Sequence, residues 1–213
     1  MDDIVLSRNL VLERVITEEN ISNCFKLRFL QYCTGAHAVF SSENYPDGEE
    51  SDEYDCDERT VHVLAKIDGK PVGTARVIFP IYETNTDEGL FQMEKITKRF
   101  RLPSFIPRIK SVEISRIAAP MIQGIRVSQY VYLALVIIAM KMSMTHVVGI
   151  TRTSLFDSLR EVGVPHEAIA ESYGYLGLSL TPVYAELKPK LWESFFDYMR
   201  YGKRYWQVKG LDT

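Results

Sequence analysis

Hydrophobic and polar positions alternate in two short stretches of this chain and recur at helical spacing in several others. "NLVLERVI" (Asn9 to Ile16) is rich in β-branched residues and reads as a strand. Thr17 then offers an N-cap, followed by two acids in the first turn. A helix is expected from about residue 18 to 32, with Ile21, Cys24, Phe25, Arg28 and Tyr32 on one face. "TVHVLAKI" and "KPVGTARVIF" flank Asp68-Gly69, a two-residue hairpin signal. After a short helix around residues 92–99, "SVEISRIAAP" reads as a strand stopped by Pro120. A long apolar helix over about 126–145 and the strand "VVGITR" complete a βαβ unit, so those two strands should be parallel neighbours. "SLFDSLREVG" reads as a short helix capped by Ser154 and ended by Gly163. "AIAESYGYLG" and "LTPVYAELK" read as a final strand pair, and Pro189 to Trp206 as an amphipathic, aromatic-rich tail. The expected architecture is α/β (α+β): a mixed central sheet flanked by helices, in one domain over 1–213 with a basic amphipathic tail from about 187 to 213.

Composition narrows the function classes. The 213 residues are 46% hydrophobic and 25% charged, ordinary for a globular chain. The longest apolar run, Tyr130 to Met140, is too short to span a bilayer, and the acidic start lacks the pattern of a signal peptide. Three cysteines without paired spacing point to a reducing, cytoplasmic setting. A net charge of −3 argues against a dedicated nucleic-acid binder. The histidines lack ligand spacing, so no metal site is expected. Charge is uneven, however: Lys188, Lys190, Arg200, Lys203, Arg204 and Lys209 make the tail basic, either a solvated face or a dock for an anionic partner.

The chemistry concentrates elsewhere. Nine acids fall between Glu43 and Glu58, and no Lys or Arg occurs from Phe29 to Glu58. Three arginines meanwhile interrupt apolar patterns: Arg28 on the first helix, Arg76 and Arg116 inside strands, the last three residues after Glu113. Charges in apolar elements need partners. Asp52 and Asp55 are the expected ones, while Glu49, Glu50, Asp57 and Glu58 read as solvated. A β-bulge between Glu113 and Arg116 would bring both to one place. The constellation reads either as a structural ion-pair network or as a site. Cys33 with His37 is a much weaker nucleophile–base pair.

"RFLQY", "DEYD", "GTARV" and "EISR", in that order over residues 28 to 116, resemble the autoinducer (acyl-homoserine-lactone) synthases. They also resemble the related long-chain N-acyl amino acid synthases and the acyltransferases associated with the PEP-CTERM/exosortase system, to which "ESDEYD" and "VGTARV" look closer; the whole group has the GNAT fold. The resemblance implies a GNAT-like fold and N-acyl transfer from an acyl thioester, with no permanently bound cofactor. It implies Glu113, Ser115 and Arg116 as catalytic residues. Arg28, Tyr32, Asp52, Asp55 and Arg76 would hold the acceptor, and Gln123, Gly124 and Arg126 the donor. The usual pyrophosphate loop is degraded to "PMIQGIRVSQ", which favours acyl carrier protein over coenzyme A as donor. Tyr54 in place of phenylalanine, and no tryptophan after the first helix, lean towards a small amine such as an amino acid as acceptor rather than S-adenosylmethionine. A homoserine-lactone synthase and a non-catalytic acyl- or carrier-binding module are the alternatives. Met121, Tyr132, Val136 and Met140 are candidate linings of an acyl tunnel, or plain core.

Overall fold

The computed structural model describes residues 10–34, 38–81, 91–97, 101–122, 125–201 and 206–209. One sheet gathers nine strands. Strand β1 (Leu10–Arg14) leads into helix α1 (Glu18–Phe29), which continues as a π-helical turn over Leu30–Thr34. The Thr17 side chain accepts from the Asn20 N–H, so the expected cap forms. Strands β2 (Thr60–Ile67) and β3 (Lys70–Ile78) make the hairpin, with Asp68 and Gly69 both at positive φ as the tight turn requires. Helix α2 (Gln92–Thr97) precedes β4 (Ser111–Ala118). A two-residue ladder, β5 (Met121–Ile122) with β6 (Ile125–Arg126), leads into the apolar helix α3 (Val127–Lys141) and then β7 (His146–Arg152). Helix α4 (Thr153–Glu161), short strands β8 (Glu167–Ala168) and β9 (Tyr173–Tyr175), β10 (Leu178–Glu186), helix α5 (Pro189–Tyr201) and β11 (Trp206–Lys209) complete the fold.

The main path through the sheet runs β11-β1-β2-β3-β4-β7-β10-β8, with β9 also on β10. The pairs β1–β11 and β4–β7 are parallel and the rest antiparallel, so the βαβ unit forms as expected. Alternation along the strands sorts side chains onto two faces. Val63, Ala65, Ala75, Val77, Val112 and Ile114 join α3 and Trp192 and Phe195 of α5 in the main core. The opposite face carries two smaller clusters, Val15, Cys24 and Leu64 beside α1, and Phe91, Met93, Ile106 and Val148 beside α2. Between these two clusters lie the buried charges.

Two expectations on the C-terminal half need correction. Ser154 is not the cap of α4. The strand β7 runs straight into that helix, Arg152 occupies the cap position without a side-chain cap bond, and the Thr153 hydroxyl bonds Ser179 and Thr181 of β10. The final strand pair is split on one side: the stretch expected as one strand forms β8 and β9, separately paired with β10. Gly163 does end α4 at φ 85°, close against the α5 backbone.

Candidate active site

Two irregularities in β4 shape this region. The first is a bulge. Arg76 of β3 faces Ser115 and Thr74 faces Ala118, so Arg116 and Ile117 both stand opposite Ala75. Arg116 takes a φ of 54°, a left-handed conformation that costs an arginine about 1–2 kcal/mol. The second is a parting of strands. Pairing of β4 with β7 covers only Ser111–His146, Val112–Val147 and Glu113–Val148, although both strands continue. A side chain at Gly149 would meet the Ile114 carbonyl oxygen at 2.8 Å, so the strands still touch where the gap begins. Beyond it, the bulged end of β4 and the end of β7 are no longer paired, and this break in the ladder is the opening between the two strands.

The acids and arginines meet on the α1/α2 face beside that opening. Arg28 donates to Glu50 through Nε (2.5 Å) and to both oxygens of Asp55 through its two Nη atoms (2.6 and 2.9 Å). Arg76 donates to Ser115 through Nε (3.1 Å), and through its Nη atoms to Asp52 (2.7 and 2.8 Å) and Asp55 (2.5 Å). Arg116 donates to Asp52 (2.9 Å from Nη2) and lies 3.4 Å from Glu50, under the rings of Tyr32 and Phe40. The local backbone holds the acids in place: the Tyr54 N–H donates to Asp52 and the Asp52 N–H to Asp55. Burial alone would raise the Asp52 and Asp55 carboxyls. The guanidinium groups outweigh it and hold both well below the ordinary carboxylate range.

Glu50 was expected in solvent and is instead fully buried against Arg28. With it, the network has three cations (Arg28, Arg76, Arg116) and three anions (Glu50, Asp52, Asp55). Gln92 is a second participant without a sequence signal, its amide donating to Asp52 at 2.6 Å. The next residue, Met93, donates its backbone N–H to Glu113 at 3.1 Å, so α2 links the network to that acid. Glu113 is 2% exposed, and burial pushes its carboxyl up to about 7, only partly offset by the Met93 N–H and by Arg76. It forms no direct ion pair with Arg116. The bulge lies past Ser115 and turns Arg116 towards Asp52 instead.

The remaining candidates fall out as follows. Tyr32, set by the π-helical turn, donates to the Ile117 carbonyl at 2.7 Å and so ties α1 to the bulge. Ser115 accepts from Arg76. Arg126 is exposed just before α3, while Gln123 and Gly124 lie outside the described residues. Tyr132 and Val136 pack inside the main core, the Tyr132 hydroxyl bonded to His166, and Met121 is exposed. Cys33 is buried, with its thiol pushed up, the opposite of an activated nucleophile; His37 lies outside the described residues. A surface depression of about 360 Å³ at the β1–α1 corner is rimmed by Glu18 and Glu49 and stands apart from Glu113. No described helix is long and apolar enough to cross a membrane.

A mixed sheet whose two parallel strands β4 and β7 part beside a bulge is a fold of the GNAT type. Solved structures share it. The chain is similar to BjaI, a coenzyme A-dependent acyl-homoserine lactone synthase solved with S-adenosylmethionine and isopentyl-CoA, at a TM-score of 0.69 and 18% identity, covering 94% of each chain. The acyl-homoserine-lactone synthase LasI matches at a TM-score of 0.65 and 15% identity, over 89% of this chain and 95% of that one. An acyl-CoA N-acyltransferase from Pseudomonas aeruginosa matches at 0.58 and 14%, over 82% and 98%. No protein-family model matches the chain, and no curated protein sequence matches it. The likeness to autoinducer synthases expected from the motifs therefore recurs in three dimensions, as a shared fold.

Proposed function

We propose that this chain is an N-acyltransferase that moves a fatty acyl group from a thioester to the amine of an amino acid or similar small acceptor. The observation that carries this reading is Glu113, a buried carboxyl pushed up to about 7, on the strand whose bulge borders the opening. A group poised near neutrality can take a proton from an ammonium acceptor or from its attack product. The shared fold adds support, since its solved examples include proteins named for acyl transfer.

In this reading the thioester lies in the opening between β4 and β7. Backbone N–H groups at the bulge, Ser115 to Ala118, receive the oxyanion. The amine nitrogen attacks the carbonyl carbon, the C–N bond forms, and the C–S bond breaks to release the thiolate. Glu113 accepts the amine proton, directly or through water, and the thiolate is protonated from solvent. Asp52, Asp55, Arg28, Arg76 and Tyr32 act as the rigid frame of the acceptor side, and Arg116 reaches from it to the opening. Gln123, Gly124 and Arg126 hold the donor, which we take to be acyl carrier protein, docked partly through the basic tail.

A second reading, an acyl-homoserine-lactone synthase using S-adenosylmethionine, is favoured by the fold shared with LasI and BjaI. One assay separates the readings. The protein is incubated with long-chain acyl carrier protein or acyl-CoA, plus either pooled amino acids or S-adenosylmethionine, and products are identified by mass spectrometry. N-acyl amino acids support the first reading and a lactone the second. Tight acyl-carrier binding without product would leave a binding module.

A further inference from the structure

One carboxylate oxygen of the network has no hydrogen bond. Arg28 Nε donates to Glu50 Oε2 at 2.5 Å, but the buried Oε1 of the same residue accepts from no donor among the described residues. Arg116 Nη2 stands 3.4 Å from it, beyond the usual N–H···O distance. A buried polar atom without a partner is rare in a native fold and calls for a cause. Asp52 has the opposite problem. Its Oδ1 accepts from the Tyr54 N–H at 2.9 Å and from Arg76 at 2.7 Å. Its Oδ2 accepts from Gln92 (2.6 Å), Arg76 Nη2 (2.8 Å), and Arg116 Nη2 and Nε (2.9 and 3.2 Å). A carboxylate offers about four lone-pair sites, so these donors crowd it, and the two from Arg116 are the longest on Oδ2.

Arg116 thus stands between a crowded oxygen and an empty one, and a shift of about 0.5 Å in its Nη2 completes a bond to Glu50. Its main chain is held by the bulge, with the next carbonyl tied to Tyr32, so the guanidinium is the part that moves. The rings of Tyr32 and Phe40, 5.9 and 5.1 Å from its Cζ, attract it in either position, since a cation over a ring face breaks no directional bond when it slides. The accessible part of the network is this same pair. The Asp52 and Arg116 side chains are each 16% exposed, whereas Glu50, Asp55, Arg28 and Arg76 are at 0–1%. A molecule that enters the site meets these two first. Asp52 also lies beside the proposed base: Gln92 and Met93, consecutive in α2, donate to Asp52 and to Glu113.

We infer that Glu50 is a positioning residue, the second counter-ion of Arg116: when the ammonium group of an amino acid takes the place of Arg116 on Asp52, the guanidinium passes to the free Oε1 of Glu50. This deepens the amino acid N-acyltransferase reading and rests on it. No buried charge loses its partner in the exchange, because Asp52 gains the ammonium as Glu50 gains Arg116. The Arg116 Nε released by Asp52 becomes available to the acceptor's own carboxylate. The ammonium then waits beside Glu113, which takes its proton before the nitrogen attacks. The acceptors are therefore amines that arrive as ammonium ions. Neutral amides and alcohols lack the charge that displaces Arg116.

The test compares leucine, glutamine and phenylalanine, each against the same acid without its amine (isocaproate, glutaramate and hydrocinnamate), by calorimetry on the wild type. At least one amino acid should bind roughly tenfold or more tightly than its partner, the scale of a charge-assisted hydrogen bond. A crystal structure with that amino acid should show its nitrogen on Asp52 and Arg116 Nη2 within hydrogen-bond distance of Glu50 Oε1. No amine preference in any pair, or a complex in which Arg116 is still bonded to Asp52, overturns the inference, and neither result needs a variant. A double-mutant cycle adds a second measurement. Glu50→Gln and Arg116→Gln should each weaken amino acid binding by about tenfold, and the double variant no further, since both remove one contact. A merely structural Glu50 would lower the unfolding midpoint and leave the affinity of the folded variant unchanged, which also overturns the inference. Amide formation by an enzyme whose Arg116 stays on Asp52 defeats the exchange alone. An Arg116 that moves while no thioester yields an amide defeats the catalytic reading and leaves the exchange standing.

Discussion

Single side chains decide the chemistry of this region through their surroundings. Glu113 and Asp55 are both buried carboxyls, yet burial wins at one and arginine at the other. Their pH signs are therefore opposite. Glu113 is raised in the folded state, so the stability it allows is fully present below about 4.5 and declines as pH rises through about 7. Asp52 and Asp55 are depressed, so their contribution holds above the ordinary carboxylate range and is lost as pH falls below it. On the proposed mechanism, kcat should rise with pH through an apparent value near 7 as Glu113 ionises. Glu113→Gln should lower turnover by about 100-fold or more and abolish that limb, with donor affinity similar to wild type. A variant with wild-type turnover removes Glu113 from the base role. Asp55→Asn addresses the network instead. It leaves Arg28 and Arg76 short of a buried counter-charge and should cost about 3–5 kcal/mol in chemical denaturation. A loss under 1 kcal/mol would mean that the pairs are dispensable to folding.

Elements, more than residues, show what could be read in advance. Thr17, Asp68-Gly69 and Gly163 act locally, through cap and turn geometry, and their signals sit within a few residues. Arg28, Arg76 and Arg116 were legible because each broke an apolar pattern and so required a partner. Glu50 was not, because one acid in an acidic run looks like any other. Its clue was the two-residue spacing to Asp52, which in extended chain places both on one side. Gln92 and the Met93 N–H gave no signal at all, since their roles depend on where α2 lands. The parting of β4 from β7 was equally hidden, for strand pattern reveals that two strands neighbour but not where they separate. Gly149 marks that point. Gly149→Ala would push a methyl into the Ile114 carbonyl at 2.8 Å, where backbone must yield. We expect about 1–3 kcal/mol of destabilisation, read from the unfolding midpoint. Unaltered stability would show that the strands part more easily than their contact suggests.

Across the whole molecule, the sheet divides the work. The α3 face carries the continuous apolar core, sealed by α5, whose Trp192 is fully buried and donates to the Glu186 carbonyl. The opposite face can therefore hold a charged network without being the chief source of stability. This separation follows from strand alternation, and it explains how buried charges stand beside a well-packed core. Helix α5 is amphipathic because it packs on this core, with Phe195 and Met199 inward and Lys190 outward.

The pairing of β1 with β11 has a consequence in time. Leu10 meets Trp206, a partner about 200 residues later in synthesis. Until that partner emerges from the ribosome, the outer edge of β1 is an unpaired template for any other extended chain. Such distant pairing is slow to form, because a long loop must close before any contact rewards it. The nascent protein thus has a window of vulnerability that closes once β11 has been made. Val208→Pro, which removes a donor from β11, should raise the aggregated fraction on refolding, measured by light scattering, more than it lowers equilibrium stability. Equal refolding yields for variant and wild type would mean that β1 is guarded by something other than β11.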